Sequence, residues 1–304
     1  MYFPILKGKQ NELIALRELS SVIDARLFKP VIEPVRENIS PLKRTIQQLS
    51  DNRIVPLVVV NPSLGDYRGG VDVISSMLGE EEGLYLPCVK IKSPQDSVAI
   101  ELFQSFAGQA AVFVEGSLDR ALIEIVNQSV YTLVNPVRVS STAFSLLRNK
   151  VVYGDSFKKE MKNSDYTEDS LFSSLHTEFR SLENALGFGD FTILSEDYSE
   201  SGGPAYVVAV HLSYINRDEY DAMHVRHFAS YDDRTPTNPG GKFMDALNKL
   251  VSYVGSNPGK FTRTQGLNEF FVLHSSRHYP GLGHVKKISI KHHIETTCAY
   301  IQEH

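Results

Sequence analysis

Tryptophan is absent from the 304 residues, and cysteine occurs only twice, at Cys88 and Cys298. Two cysteines make no disulfide framework; both sit in apolar runs and read as buried thiols of a reducing compartment. The first half of the chain has no histidine: all ten lie at or after His176, so any imidazole chemistry comes from the C-terminal half. No apolar stretch approaches the roughly 20 residues a membrane helix needs. Lys7, Lys9 and Glu12 interrupt the N-terminus before a signal-type apolar segment forms, so the cytoplasm is the expected location. There is no Walker A loop, CxxC pair, GxSxG elbow or EF-hand loop, which counts against a P-loop ATPase, a zinc ribbon and an α/β-hydrolase. A site built from residues far apart in sequence stays open. Basic residues are not in excess either: 31 Lys and Arg stand against 36 Asp and Glu, a formal net charge of −5. That excludes a chain-wide electrostatic grip on nucleic acid and leaves only a local patch.

What is present is a globular balance, 42% hydrophobic and 22% charged. Short apolar runs alternate with helical patterns. Strands are expected at 2–6, 30–35, 55–60, 84–91, 111–115, 131–135, 151–154 and 188–194. Helices are expected at 11–19, 41–49 (Ser40 as N-cap, Pro41 in the first turn), 71–78, 95–106, 118–126, 142–148 and 170–186. Runs such as LVVV and AVFV are apolar on both faces, as in a parallel sheet covered by helices. Eight such units over residues 1–200 predict an α/β fold, a (β/α)8 TIM-like barrel. The alternative is an open doubly wound sheet, whose dinucleotide version is weakened by the lack of a GxGxxG turn.

From about Gly202 the pattern changes, and residues 201–304 read as an α+β elaboration packed on the barrel. Segments 206–214 and 223–230 should form an antiparallel hairpin, and Phe243–Val254 an amphipathic helix. Asn268–Leu273 is expected to be helical, and Val285–Ile301 a strand pair or a strand and a helix.

Several expected strands stop at a polar residue before proline: Glu33-Pro34, Asn61-Pro62, Asn135-Pro136. The full set of strand tips is Lys7, Glu33, Asn61, Lys90, Glu115, Asn135, Asp155 and Asp190. In a (β/α)8 barrel these converge at the C-terminal mouth, where the active sites of that fold lie. Paired carboxylates near a lysine suit general acid–base work, and several carboxylates with asparagine suit a hard divalent cation. The plain reading is that every strand ends in something polar. In Phe188-Gly189-Asp190-Phe191, the glycine permits close approach and Asp190 is expected to point into the mouth; alternatively, Gly187 is a helix C-cap before an ordinary strand. His224 and His227, three apart in a strand, face opposite ways and make a poor chelate. His274 and His278 share a helix face only if the helix passes them, which Pro280-Gly281 opposes. Of the adjacent His292 and His293, a strand would turn one inward, to serve as an acid–base partner or as a plain core residue. Lys260, Phe261, Arg263, Arg277, His278, Tyr279, Lys286, Lys287 and Lys291 interleave basic and aromatic residues, as a phosphate- or base-binding patch or a solvated surface would.

The opening Tyr2-Phe3-Pro4-Ile5-Leu6-Lys7, then Glu12-Leu13 and Ala15-Leu16, and Pro30-Val31-Ile32-Glu33-Pro34, resemble the Beta protein family of satellite phages and bacterial mobile elements. Gly189-Asp190-Phe191 and His292-His293-Ile294 resemble later landmarks of that family, so the likeness touches both ends of the chain. The resemblance implies a role in phage or mobile-element conflict beside nuclease- or toxin-like neighbours, and singles out Lys7, Glu12, Glu33, Asp190, His292 and His293. Asn11 stands where the family often has glycine, and the tryptophan often found near the terminal histidines is missing, which suggests a divergent branch.

Two functions follow as expectations. The first is a sensing or binding component acting with an effector encoded nearby. The second is a barrel hydrolase on a phosphorylated small molecule or nucleic acid, with Glu33 and Asp190 as acid–base or metal residues, Lys7 beside them, and Asn61, Lys90, Glu115, Asn135 and Asp155 holding the ligand. A purely structural partner protein is the third possibility. The catalytic version expects Glu33, Asp190 and His292 or His293 in one polar cleft, with Glu33→Gln or Asp190→Asn abolishing activity at nearly unchanged melting temperature.

Overall fold

The computed structural model describes residues 1–68, 74–81, 83–200 and 202–304. In chain order the elements are β1 (Tyr2–Leu6), α1 (Gln10–Leu19), β2 (Val31–Ile32), α2 (Ser40–Asp51), β3 (Leu57–Val59), β4 (Leu86–Ile91), α3 (Ser97–Ser105), β5 (Ala111–Val114), α4 (Arg120–Val126), β6 (Thr132–Val134), α5 (Ser141–Leu146) and β7 (Lys150–Gly154). There follow β8 (Asp169–Ser173), α6 (Leu175–Glu178), β9 (Ala185–Asp190), β10 (Ala209–Asn216), β11 (Ala222–Ala229), α7 (Pro239–Ser256), α8 (Gln265–Ser276) and α9 (Leu282–Glu303). The chain forms two compact units: residues 1–155 with 175–191, and residues 156–174 with 192–304. The boundary expected at 200/201 is therefore replaced by an interleaved one, because the chain leaves the first unit after β7, adds β8 to the second, and returns for β9.

The first unit is a closed, all-parallel barrel in the order β1-β2-β3-β4-β5-β6-β7-β9, a (β/α)8 TIM-like barrel. Closure is made by β1 against β9, with Tyr2 opposite Phe188 and Pro4 opposite Asp190. The open doubly wound sheet is thereby ruled out. Side chains alternate across each strand. Phe3, Ile5, Val31, Leu57, Val59, Cys88, Phe113, Leu133, Val151 and Tyr153 fill the interior. Asp96, Asp119 and Ser140 cap α3, α4 and α5 through backbone N–H groups three residues on. Ser40 lies inside α2 rather than capping it, with Pro41 in the first turn. Of the helix expected over 71–78, residues 71–73 lie outside the described residues; Ile74–Glu81 is a 3-10 helix.

The long helix expected over 170–186 does not form. Its start is β8, which pairs with β11, and only Leu175–Glu178 is α-helical, followed by a 3-10 turn at Phe179–Ser181. Strand pairing overrides the helical spacing, and Leu171 and Leu186 stay exposed.

The second unit holds a three-stranded antiparallel sheet in the order β10-β11-β8. The expected hairpin forms, at 209–216 and 222–229. Val208, Val210, Leu212, Tyr214 and Phe228 pack with Phe243 and Leu247 of α7, Leu267 and Phe270 of α8, and Ile288 of α9. Residues 285–301 belong to one 22-residue helix, not to strands. No helix among the described residues is long and apolar enough to cross a membrane.

Candidate functional site

Inner-face alternation carried to the C-terminal end of the barrel brings Lys7, Glu33, Lys90 and Glu115 together. Glu33 Oε2 accepts from Lys7 Nζ at 3.1 Å and its Oε1 from Lys90 Nζ at 2.8 Å. Lys90 Nζ also meets Glu115 Oε1 at 2.7 Å. The four groups form a lattice of alternating charge, + − + −, across β1, β2, β4 and β5. Burial alone would raise Glu33, but the two ammonium groups outweigh it and hold the carboxyl below its ordinary range. For Lys90, burial works against the charge, and Glu33 and Glu115 overcome it and raise the group above the usual lysine value. Glu33 is therefore ionised at neutral pH and has no proton to donate. Lys7 Nζ also lies 5.2 Å from the centroid of the Phe191 ring, and its backbone N–H donates to Glu12 Oε2. Burial raises Glu12, against that hydrogen bond and the nearby lysines. Its work is to hold the turn from β1 into α1.

The other strand tips have different roles. The amide of Asn61 donates to Lys90 O and accepts from Lys90 N, both at 2.9 Å, extending the β3–β4 ladder by one step. Asn135 accepts from Val137 N and shapes the turn after β6. Asp155 is exposed beyond β7. Two residues that the strand-tip pattern does not reveal join this end of the barrel: Tyr153, on the inner face, donates to Val114 O, and Arg138 from the β6–α5 loop reaches its hydroxyl. Tyr153 is hidden in an ordinary apolar strand, and Arg138 has only the Asn-Pro stop before it as a signal. Burial pushes the Cys88 thiol of the interior well up, away from thiolate chemistry.

Asp190 corrects an expectation. It does not point into the mouth: it shares the outer face of β9 with Phe188, and Tyr2 OH donates to its Oδ1 at 2.7 Å. The reason is the neighbouring glycine. A Cβ on Gly189 would lie 2.5 Å from Phe3 O, and one on Gly187 2.6 Å from the Phe3 ring. Both glycines take the inward positions because Phe3 already fills them, and this parity sends Asp190 outward. Gly187 is thus a strand residue, not a helix cap.

Nine of the ten histidines belong to the second unit; His176, on α6, lies in the first. His292 and His293 are both fully buried on α9, so the one-in, one-out expectation fails with the strand that carried it. His292 Nε2 donates to Ser213 O of the edge strand β10, which leaves Nδ1 as the acceptor for Thr264 Oγ1–H, the N-cap of α8. Burial holds this imidazole down, to about 4, so it is neutral. His293 Nδ1 pairs with Ser213 Oγ at 2.7 Å. These are contacts that seal a sheet edge. His224 lies between Asp169 and Glu219, each at 2.9 Å. The basic and aromatic run does not form one patch: Lys287 and Lys291 are buried against Glu269, Phe261 is in the core, and Lys260 sits over the rings of Tyr214 and Tyr253.

Among the described residues no three His, Cys, Asp or Glu side chains converge as a metal-holding group. In the mouth, both Glu33 oxygens already face ammonium groups, a poor setting for a divalent cation. A scan against protein-family models matches none, and no curated protein matches the chain.

Proposed function

We propose that this chain is the recognition component of a bacterial anti-phage or mobile-element conflict system, binding a nuclease- or toxin-like effector encoded beside it in the cytoplasm. The resemblance of Tyr2–Lys7 and Pro30–Pro34 to the Beta protein family supports the biological setting. The observation that carries the molecular half is the Lys7–Glu33–Lys90–Glu115 lattice. Paired side chains of opposite sign present a defined pattern of charge for recognition, and the two central ones, Glu33 and Lys90, are each held in the charged form by their partners. The test is co-expression with the adjacent effector, followed by size-exclusion chromatography and titration calorimetry. A complex weakened at least about tenfold by Lys7→Ala, with the fold retained, is the expected result. Unchanged binding by that variant, or no complex at all, would overturn the reading.

A barrel hydrolase acting on a phosphorylated small molecule or nucleic acid is the second reading. It is favoured by Lys7, Lys90 and Arg138 at one end of one barrel, a set of cations that suits an anionic group. Phosphate release from phosphorylated sugars, nucleotides or RNA, with and without magnesium and lost in Lys90→Met, would replace the first reading by this one.

A further inference from the structure

On one face of the second unit's sheet, a polar side chain from each of the three strands comes together with the next. Val225 of β11 is the register partner of Ser170 on β8, and His227, two residues on, is the partner of His211 on β10. Period-two alternation therefore puts Ser170, His227 and His211 on the same side. Ser170 Oγ is 2.8 Å from His227 Nε2, and His227 Nδ1 is 2.8 Å from His211 Nδ1. Aromatic rings hold the imidazoles in place: Tyr166 stacks on His227 at 4.7 Å and packs edge-on to His211 at 4.8 Å, and Phe157 meets His211 at 5.1 Å. Ser170 is only half-buried, on the outer strand of the sheet.

One tautomer gives the serine hydroxyl an acceptor. Ser170 O–H donates to His227 Nε2, the His227 proton sits on Nδ1, and that N–H donates to His211 Nδ1. We infer that Ser170, His227 and His211 form a nucleophile, a general base and a positioning residue for hydrolysis of small acyl esters. Such a set is recognised by geometry and roles, whatever the fold around it. Ser170 Oγ attacks the acyl carbon and its proton passes to His227 Nε2, while the carbonyl electron pair moves to oxygen. Collapse of the tetrahedral alkoxide expels the leaving alkoxide, which takes the proton from Nε2. Water, deprotonated by the same nitrogen, then cleaves the acyl-serine, so ester and water give acid and alcohol.

Burial, helped by Arg226 and opposed by Asp169, holds His227 down, to about 4, and burial with His227 and Lys286 nearby holds His211 well below its ordinary value. Both rings are neutral at pH 7, so Nε2 stands ready as an acceptor. A neutral orienting ring stabilises the imidazolium less than a carboxylate does, which selects esters with good leaving groups.

The full-length protein is treated with a fluorophosphonate probe, and p-nitrophenyl butyrate hydrolysis is followed across pH. One adduct is expected, mapping to Ser170, absent in Ser170→Ala and formed about 100-fold more slowly in His227→Gln. His211→Gln, which keeps an acceptor, should react within a few-fold of the parent; His211→Phe should react about tenfold more slowly, with a shifted pH midpoint. Ser170→Cys guards against a folding artefact: its alkylation by iodoacetamide should depend on His227. No adduct, an adduct elsewhere, or labelling and alkylation that ignore His227 would overturn the inference. None of these residues lies in the barrel, so either result leaves the mouth's role a separate question.

Discussion

The barrel mouth and the histidine-bearing sheet solve one problem in opposite ways. Each buries polar side chains that water would otherwise satisfy. In the mouth the solution is full charge: Glu33 lies between two ammonium groups and Lys90 between two carboxylates. In the sheet the solution is neutrality: His227 and His292 are held to about 4 by burial and share hydrogen bonds with hydroxyls, a carbonyl and a second imidazole. A charged lattice is costly to break at one point because the remaining charges keep their desolvation cost. A neutral network is broken by a proton instead of a mutation. The two regions should therefore fail under different insults.

The largest effect is expected from Glu33→Gln. Lys7 and Lys90, both buried, then face each other without the anion between them. Breaking one partner of such a set costs about 3–5 kcal/mol, to be read from urea unfolding. This revises the expectation, drawn from the strand-tip pattern, that the variant would melt like the parent. Asp190→Asn, by contrast, keeps an oxygen for Tyr2 OH and should stay close to the parent. A Glu33→Gln cost near zero would mean that the lattice is not formed in solution.

Next in size is a pH effect that separates the regions. His227 and His292 have folded-state values below their unfolded value of 6.5, so the unfolded chain binds more protons between the two. Their contribution is complete above pH 6.5 and is lost as pH falls from there towards about 4, roughly 3 kcal/mol for each ring. Glu33 is also depressed, but from 4.5, so its contribution is complete above pH 4.5 and is lost only as pH falls through its lower folded value. Hydrogen exchange resolved by peptide should therefore show residues 209–229 and 282–303 losing protection by pH 5, while 2–7, 31–35 and 86–91 keep theirs. Simultaneous loss in both sets would show that the two units do not titrate separately.

The barrel was legible because its strands are apolar runs whose type needs no knowledge of partners, as in LVV of β3 and AVFV of β5. Lys7, Glu33, Lys90 and Glu115 were legible as polar strand tips, and the structure adds that alternation turns all four inward. What was not legible depended on parity or on partners. Asp190 faces outward because Phe3, far away in sequence, occupies the inward space beside Gly187 and Gly189. The single helix α9 was obscured because Ser289, Lys291, His292, His293, Glu295, Thr296 and Thr297 are buried polar residues that erase the amphipathic period. Glu295, for example, accepts from Gln265 N and Gly266 N at the start of α8, a role with no mark in local sequence. Strand β8 was lost inside a helical pattern because its partner, β11, begins 49 positions after β8 ends.

The smallest effect tests the lattice against itself. Lys90 Nζ stands 2.8 Å from Glu33 and 2.7 Å from Glu115, so distance does not distinguish the two carboxylates. Exposure does: the side chain of Glu115 is 20% accessible and that of Glu33 5%. Water screens the first pair and hardly reaches the second. Glu115→Gln leaves Lys90 still neutralised by Glu33, and should cost about 1 kcal/mol, falling further in molar salt, where the screening length is roughly 3 Å. The Glu33→Gln cost should persist in the same salt. Paired urea titrations of the two variants at low and high salt measure this directly. Equal, salt-insensitive costs would mean that Glu115 is as sealed as Glu33, and the mouth would then offer a partner no accessible edge. Unequal costs of the expected order make Glu115 the end of the lattice that a bound molecule meets first, with Lys90 directly behind it.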